Sequence, residues 1–117
     1  MAKKSILNNK PEVILKDYRR ALTEAGIAVE DLILFGSYAK GVEKQWSDLD
    51  VCVVSPDFGK DKTEEMILLK KLASPIEPMI EPHPYHPRDL ADPWDPLAAE
   101  IKKYGKRIPK LSLEEQK

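Results

Sequence analysis

The sequence predicts a single α/β (α+β) domain, and three observations lead there. The chain has 117 residues, about one domain's worth. Segments with apolar residues at helical spacing alternate with short apolar runs bounded by Gly, Pro, Asp or Ser, the pattern of strands set between helices. With 42% hydrophobic residues, a chain of this size buries roughly two thirds of its unfolded surface, enough to fold without disulfides or a structural metal.

The first helix starts at Pro11, which suits a helix's first turn. Val13, Ile14, Tyr18, Ala21, Leu22 and Ala25 then recur at helical spacing, and Gly26 supplies the left-handed stop. Residues 31–35 read as a short buried strand that runs straight into Gly36 and Ser37, with residues 38–40 as one helical turn before Gly41. A polar loop through Glu43, Lys44, Gln45, Trp46 and Ser47 leads to a second strand, residues 49–55, ended by Pro56. Leu49, Val51 and Val53 share one face of it, and Asp48, Asp50, Cys52 and Val54 the other. Apolar residues on both faces predict a central strand, covered on both sides for most of its length.

Asp61 with Glu64 three residues on forms a capping-box pattern, opening a helix whose Met66, Ile67, Leu69, Leu72 and Ala73 are expected to face the core until Ser74 and Pro75 stop it. Residues 76–85 read as extended. Pro78, Pro82 and Pro84 share one parity there, so their missing N–H groups fall on one margin, as in an edge strand. Asp95 and Pro96 are an N-cap and first-turn pair for a last helix with Leu97, Ile101 and Tyr104 as its buried stripe and Gly105 as its end; residues 106–109 follow as a short strand. Residues 1–9 and 110–117 are expected to be flexible, being polar and terminal. Seven of the ten prolines fall in residues 75–96, which stiffens that stretch and argues against a domain boundary within it, so residues 1–117 are taken as one domain.

Charge and composition exclude several classes of function. Nineteen Lys+Arg against twenty Asp+Glu leave a net charge of -1, so strong nucleic-acid binding or adhesion to an anionic membrane is not expected. The apolar runs 32–35 and 51–54 are four residues each, far short of the roughly 20 needed to span a bilayer. Cys52, the one cysteine, cannot pair within the chain, and residues 1–10 lack the apolar core of a signal peptide, which together predict a cytoplasmic protein.

The most specific feature is Gly36-Ser37, ten intervening residues, then Asp48-Leu49-Asp50. Carboxylates at i and i+2 of a strand point the same way with Cα atoms roughly 7 Å apart, close enough to share or bridge divalent cations. Two such ions clamp an in-line phosphoryl displacement. Gly36 lets a phosphate approach the backbone, and the Ser37 hydroxyl and nearby N–H groups can bond phosphate oxygens. The set describes a site for a nucleotide with magnesium.

Gly36-Ser37-Tyr38-Ala39-Lys40-Gly41 followed by Ser47-Asp48-Leu49-Asp50-Val51 resembles the signature of the minimal nucleotidyltransferases of the polymerase-β-like superfamily, usually G-S-x-A-R-G and then S-D-x-D. The likeness covers nearly the whole chain, from the N-terminal helix to the last helix with its Gly and short strand. It implies the polymerase-β-like nucleotidyltransferase fold, a small mixed sheet flanked by helices. It implies Asp48 and Asp50 as ligands of Mg2+, two ions in all, and Gly36 and Ser37 as the holders of the phosphates of a nucleoside triphosphate, ATP. Lys40 stands where the family has Arg; it keeps the charge without the bidentate geometry. The family's third carboxylate lies on a later strand, and Glu81 is the choice for it, as metal ligand and catalytic residue, with Glu77 of the same parity as rival.

The other candidates have plainer readings. His83 and His86, without cysteines, make a poor zinc site and read as structural or surface residues, although His83 shares the parity of Glu81 and could line the pocket. Cys52 reads as a small buried hydrophobe. Trp46 is either a lid for the base or a packing aromatic. Lys102, Lys103, Lys106, Arg107 and Lys110 read as a solvated face, or otherwise as a contact for triphosphate or an acidic partner. The resemblance further implies a protein adenylyltransferase: transfer of AMP from ATP to a tyrosine of a HEPN-domain toxin, this chain being the antitoxin. Two alternatives stay open, a non-catalytic antitoxin-like binding module and an adenylyltransferase acting on a small molecule such as an aminoglycoside.

Overall fold

The computed structural model describes residues 7–109. Along the chain the elements are α1 (Pro11–Glu24), β1 (Asp31–Leu34), α2 (Ser37–Lys40), β2 (Leu49–Val54), α3 (Lys62–Ala73), β3 (Ile80–Tyr85), α4 (Pro87–Leu90), α5 (Pro96–Tyr104) and β4 (Lys106–Arg107). Apolar residues on both sides of β1 and β2 require cover on both sides. These two strands accordingly lie at the centre of a four-stranded sheet in the order β3-β2-β1-β4. β2 and β3 are parallel, whereas β1 is antiparallel to β2 and to β4, so the sheet is mixed, as the sequence implied. The ends expected to be flexible lie largely outside the described residues; of residues 7–9, Leu7 packs on the core and the Asn8 N–H donates to Glu77.

Alternation along the strands divides the core in two. Leu32, Leu34, Leu49, Val51, Val53 and Ile80 pack under Ile14, Leu15, Tyr18 and Leu22 of α1 and Leu69 and Ala73 of α3. The Tyr18 hydroxyl donates to the Leu69 carbonyl at 2.8 Å and joins the two helices; burial pushes its phenol well above the ordinary range. On the opposite side Ile33, Phe35, Cys52, Val54 and Tyr85 meet Ala98 and Ile101 of α5. Gly105 ends α5 in extended backbone rather than a left-handed turn; it is glycine because a Cβ there would strike the Ile101 carbonyl and the Ile33 side chain.

β3 is the edge strand the prolines predicted, although it is shorter than residues 76–85. Residues 76–79 instead continue the turn out of α3, with the Ile76 and Glu77 N–H groups donating to the Ala73 carbonyl. Leu49 and Ser55 donate to the carbonyls of Met79 and Tyr85, so the odd-numbered residues of β3 bond β2 and Pro82 and Pro84 turn their missing N–H groups outward. Lys70 Nζ covers the outward carbonyls of Pro78 and Ile80 at 2.8 and 2.6 Å, which closes this edge to another strand.

Several helix details depart from expectation. In α1, Leu15 and Arg19 are buried while Val13 is 40% exposed; Arg19 donates to the carbonyls of Ile108 and Val29, so an arginine completes the apolar face by closing backbone acceptors. In α3, Ile67 faces solvent at 61% exposure, because only the stripe through Leu69 and Ala73 meets the sheet. Asp61 caps α3 as expected, but the reciprocal carboxylate is Glu65 rather than Glu64, accepting from Gly59, Lys60 and Asp61. In α5, Ile101 is buried as expected, but Tyr104 is 43% exposed and Ala98 is buried with Ile101 in its place. The last strand is only two residues long. Among the described residues no helix is long and apolar enough to cross a membrane.

Candidate functional site

The site is built where β1 leaves the sheet. The Phe35 N–H donates to the Asp50 carbonyl at 3.0 Å, and the chain then turns at Gly36, with φ 75° and ψ -154°, into the single turn of α2. The Ala39 and Lys40 N–H groups both close on the Gly36 carbonyl at 3.1 Å. Gly36 is required twice over: by its positive φ, and because a Cβ there would overlap the Asp50 carboxylate. The glycine thus makes room for an acid of the neighbouring strand, a contact that spacing alone does not reveal.

Asp48 precedes β2 on an exposed turn in which the Ser47 hydroxyl accepts from the Lys44 N–H at 2.8 Å. Asp50 is the second residue of β2 and is paired in register with Glu81 of β3. Paired residues of adjacent strands lie about 4.8 Å apart with side chains on one face. The sheet therefore sets Glu81 directly beside Asp50, with Asp48 two residues earlier in the chain, ahead of the strand. His83, next on that face of β3, brings Nε2 to 3.6 Å from Asp50 Oδ1 and lays its ring edge-on to Phe35, 5.0 Å between centroids and 63° between planes. The donors fit magnesium in kind, three carboxylates for a hard cation, and the space left by Gly36 holds one of them. Among the described residues no three Asp, Glu, His or Cys side chains are drawn close enough to hold one ion.

The remaining expectations fall into place or away from it. Glu77 is not on the strand: it is 2% exposed in the turn after α3, where its carboxylate accepts from the Asn8 and Met79 N–H groups at 2.8 and 3.1 Å. That bonding gives it a structural task away from Asp50. Lys40 reaches across to α5, 3.7 Å from Glu100 and 5.3 Å over the Tyr104 ring. Ser37 begins α2 and is half-buried. Trp46 is 69% exposed in the loop before Asp48, so it is not a packing residue. His86 caps α4: its Nδ1 accepts from the Arg88 N–H at 3.0 Å and its own N–H donates to Asp89. Cys52 is buried, which, with Asp31 and Asp95 adding, pushes its thiol up to about 12. Lys102, Lys103, Lys106 and Arg107 are exposed, and Lys110 lies outside the described residues.

Sequence reasoning missed Phe35 as a wall of the site and Glu100 and Tyr104 as partners of Lys40. Phe35 was legible as the last residue of an apolar run; nothing in the sequence links Lys40 to α5. A separate cavity of about 370 Å³, lined by Lys60, Lys62, Tyr85, Asp89 and Asp92 among others, lies along the far end of β3 and contains none of the expected site residues.

A family model described as a nucleotidyltransferase domain matches residues 15–110, a span that includes the Gly36 turn, Asp48, Asp50 and Glu81. No curated protein matches the chain. Among solved structures, one described as a toxin-antitoxin with AMP-PNP is similar with a TM-score of 0.55 at 18% identity, covering 90% of this chain and 77% of that one. Two mutant forms of the toxin-antitoxin MntA-HpeT are similar with TM-scores of 0.52 and 0.55 at 16% and 21% identity, covering 92% and 86% of this chain and 79% and 75% of theirs. At such identities the structures establish a common fold, and the family model, matching most of the chain, establishes more: the chain belongs to the nucleotidyltransferase domain family.

Proposed function

We propose that this nucleotidyltransferase uses magnesium and ATP to transfer AMP to a tyrosine hydroxyl of a HEPN-domain toxin, for which it is the antitoxin. The observation that carries the reading is the register of Asp50 beside Glu81 at the Gly36 turn. The choice of nucleotide and partner draws on the structures of similar fold, which are toxin-antitoxin complexes, one of them with AMP-PNP. The lone, buried Cys52 thiol is in keeping with a reducing compartment, the cytoplasm.

On this reading Asp48, Asp50 and Glu81 hold magnesium, which when bound neutralises charge on the α-phosphate and on the departing pyrophosphate. The Ser37 hydroxyl and the N–H groups of the turn bond triphosphate oxygens. Lys40 exchanges its half-exposed contact with Glu100 for the phosphates, at little cost because exposed ion pairs are worth about 0–1 kcal/mol. Glu81 takes the proton of the acceptor hydroxyl. The hydroxyl oxygen bonds the α-phosphorus as the bond from that phosphorus to the bridging oxygen breaks, releasing pyrophosphate.

Co-expression with a HEPN-domain toxin is the test. The expected result is a stable complex in which mass spectrometry finds AMP on a toxin tyrosine, and finds none when Asp48 or Asp50 is replaced by Asn. One observation favours a second reading: the three carboxylates are not gathered into one coordination sphere. A complex that forms and neutralises the toxin with no modification would establish that non-catalytic module. Transfer to a small-molecule hydroxyl with no protein partner would replace both.

A further inference from the structure

One buried side-chain nitrogen among the described residues has no partner, and it lies against the candidate site. His83 Nε2 is shielded from solvent and makes no hydrogen bond. The acceptor it faces is Asp50 Oδ1, 3.6 Å away, beyond hydrogen-bonding distance by a few tenths of an ångström. A buried donor without an acceptor is rare because the lost contact with water is not replaced. Both groups are held in place. The other Asp50 oxygen occupies the space where a Cβ of Gly36 would be, and the His83 ring is braced edge-on by Phe35.

We propose that His83 is a positioning residue for Asp50: its Nε2–H donates to Asp50 Oδ1 and fixes the carboxylate in the orientation in which it takes a divalent cation. A carboxylate oxygen has lone pairs enough to accept this bond and still ligate a metal. Carboxylate ligands are ordinarily held by such outer hydrogen bonds, and losing one weakens metal binding by about 10- to 100-fold. Direct ligation by the imidazole is disfavoured for magnesium, which prefers oxygen. The proposal rests on the reading of Asp50 as a metal ligand, so its test has two arms.

The first arm observes the contact without metal. In 15N NMR with the imidazole neutral, His83 is expected in the Nε2-protonated tautomer, and Asp50→Ala is expected to shift its Nε2 resonance while leaving His86 unmoved; a proton on Nδ1, or no shift, overturns the proposal. The second arm measures Mn2+ affinity by electron paramagnetic resonance with a non-hydrolysable ATP analogue present. His83→Leu should bind Mn2+ at least about tenfold more weakly. His83→Gln, whose amide nitrogen falls near Nε2, should restore most of the affinity, whereas His83→Asn, whose amide falls near Nδ1, should not. The Gln and Asn pair decides the matter should the Leu variant fail to fold. Normal wild-type binding with His83→Leu unaffected, or with Gln as weak as Asn, overturns this proposal alone; a wild-type protein that binds no Mn2+ overturns the metal reading beneath it.

Discussion

On one face of β2, Leu49, Val51 and Val53 are wholly buried beneath α1 and α3; on the other, Cys52 and Val54 lie beneath α5 while Asp50 stays partly open, its side chain 28% exposed. The first face has two long helices and a large cluster, the second one nine-residue helix and a small cluster. Because α5 covers only part of its face, the start of β2 is left with charged side chains that a fuller core would have to desolvate. The difference teaches that strand parity separates the larger core from the face that carries the candidate site: Leu49, Val51 and Val53 serve the large cluster, while of the alternate residues Cys52 and Val54 serve the small one and Asp50 is left to the candidate site.

That segregation can be broken by experiment. The largest change in stability is expected from Leu15→Ala, a fully buried side chain under the α1 and α3 layer, which should lose about 2–5 kcal/mol in urea unfolding. A loss below that range would mean that the large cluster collapses around the gap and that the two faces are less unlike than they look. A sharper contrast lies between two glutamates of one parity. Glu77→Ala removes the acceptor of two backbone N–H groups and should cost about 1–3 kcal/mol with the transfer chemistry unaffected in the folded fraction. Glu81→Gln should not lower the unfolding midpoint and should reduce turnover far more than nucleotide affinity. The reverse pattern would make Glu77 the third carboxylate. The smallest shift is expected at the centre of the site: Asp50→Asn removes one of two like charges paired across β2 and β3 and should gain about 0.2–1 kcal/mol while abolishing transfer. Loss of stability in that variant would show Asp50 to be a structural residue.

Much of this could be read without coordinates. The Gly36 turn and the place of Asp50 on β2 were legible because a turn that needs glycine and the two-residue repeat of a strand leave short-range marks in the chain. The edge position of β3 was legible for a similar reason, since proline removes donors at fixed parity. The sequence was less informative where two elements had to be ranked against each other. Strand parity made Glu77 and Glu81 equivalent; in the structure β3 begins at Ile80, and Glu77 lies in the turn before it with its carboxylate accepting from the Asn8 and Met79 N–H groups. Ile67 and Tyr104 carried the periodicity of a core stripe, yet which side of a helix meets the sheet depends on its docking angle, not on its composition.

The sequence by itself determined the order and type of most elements, the β1–α2 turn and the face of β2 that carries Asp50, because each rests on local backbone preference or on the two-residue repeat of a strand. Only the tertiary structure decided that Glu81 stands beside Asp50, that the missing Cβ of Gly36 makes room for that same carboxylate, that His83 and Phe35 close around it and that Lys40 turns to Glu100. Those contacts join residues on separate strands and helices. Their geometry is set by sheet register and by the docking of α5, which no local stretch of the chain encodes.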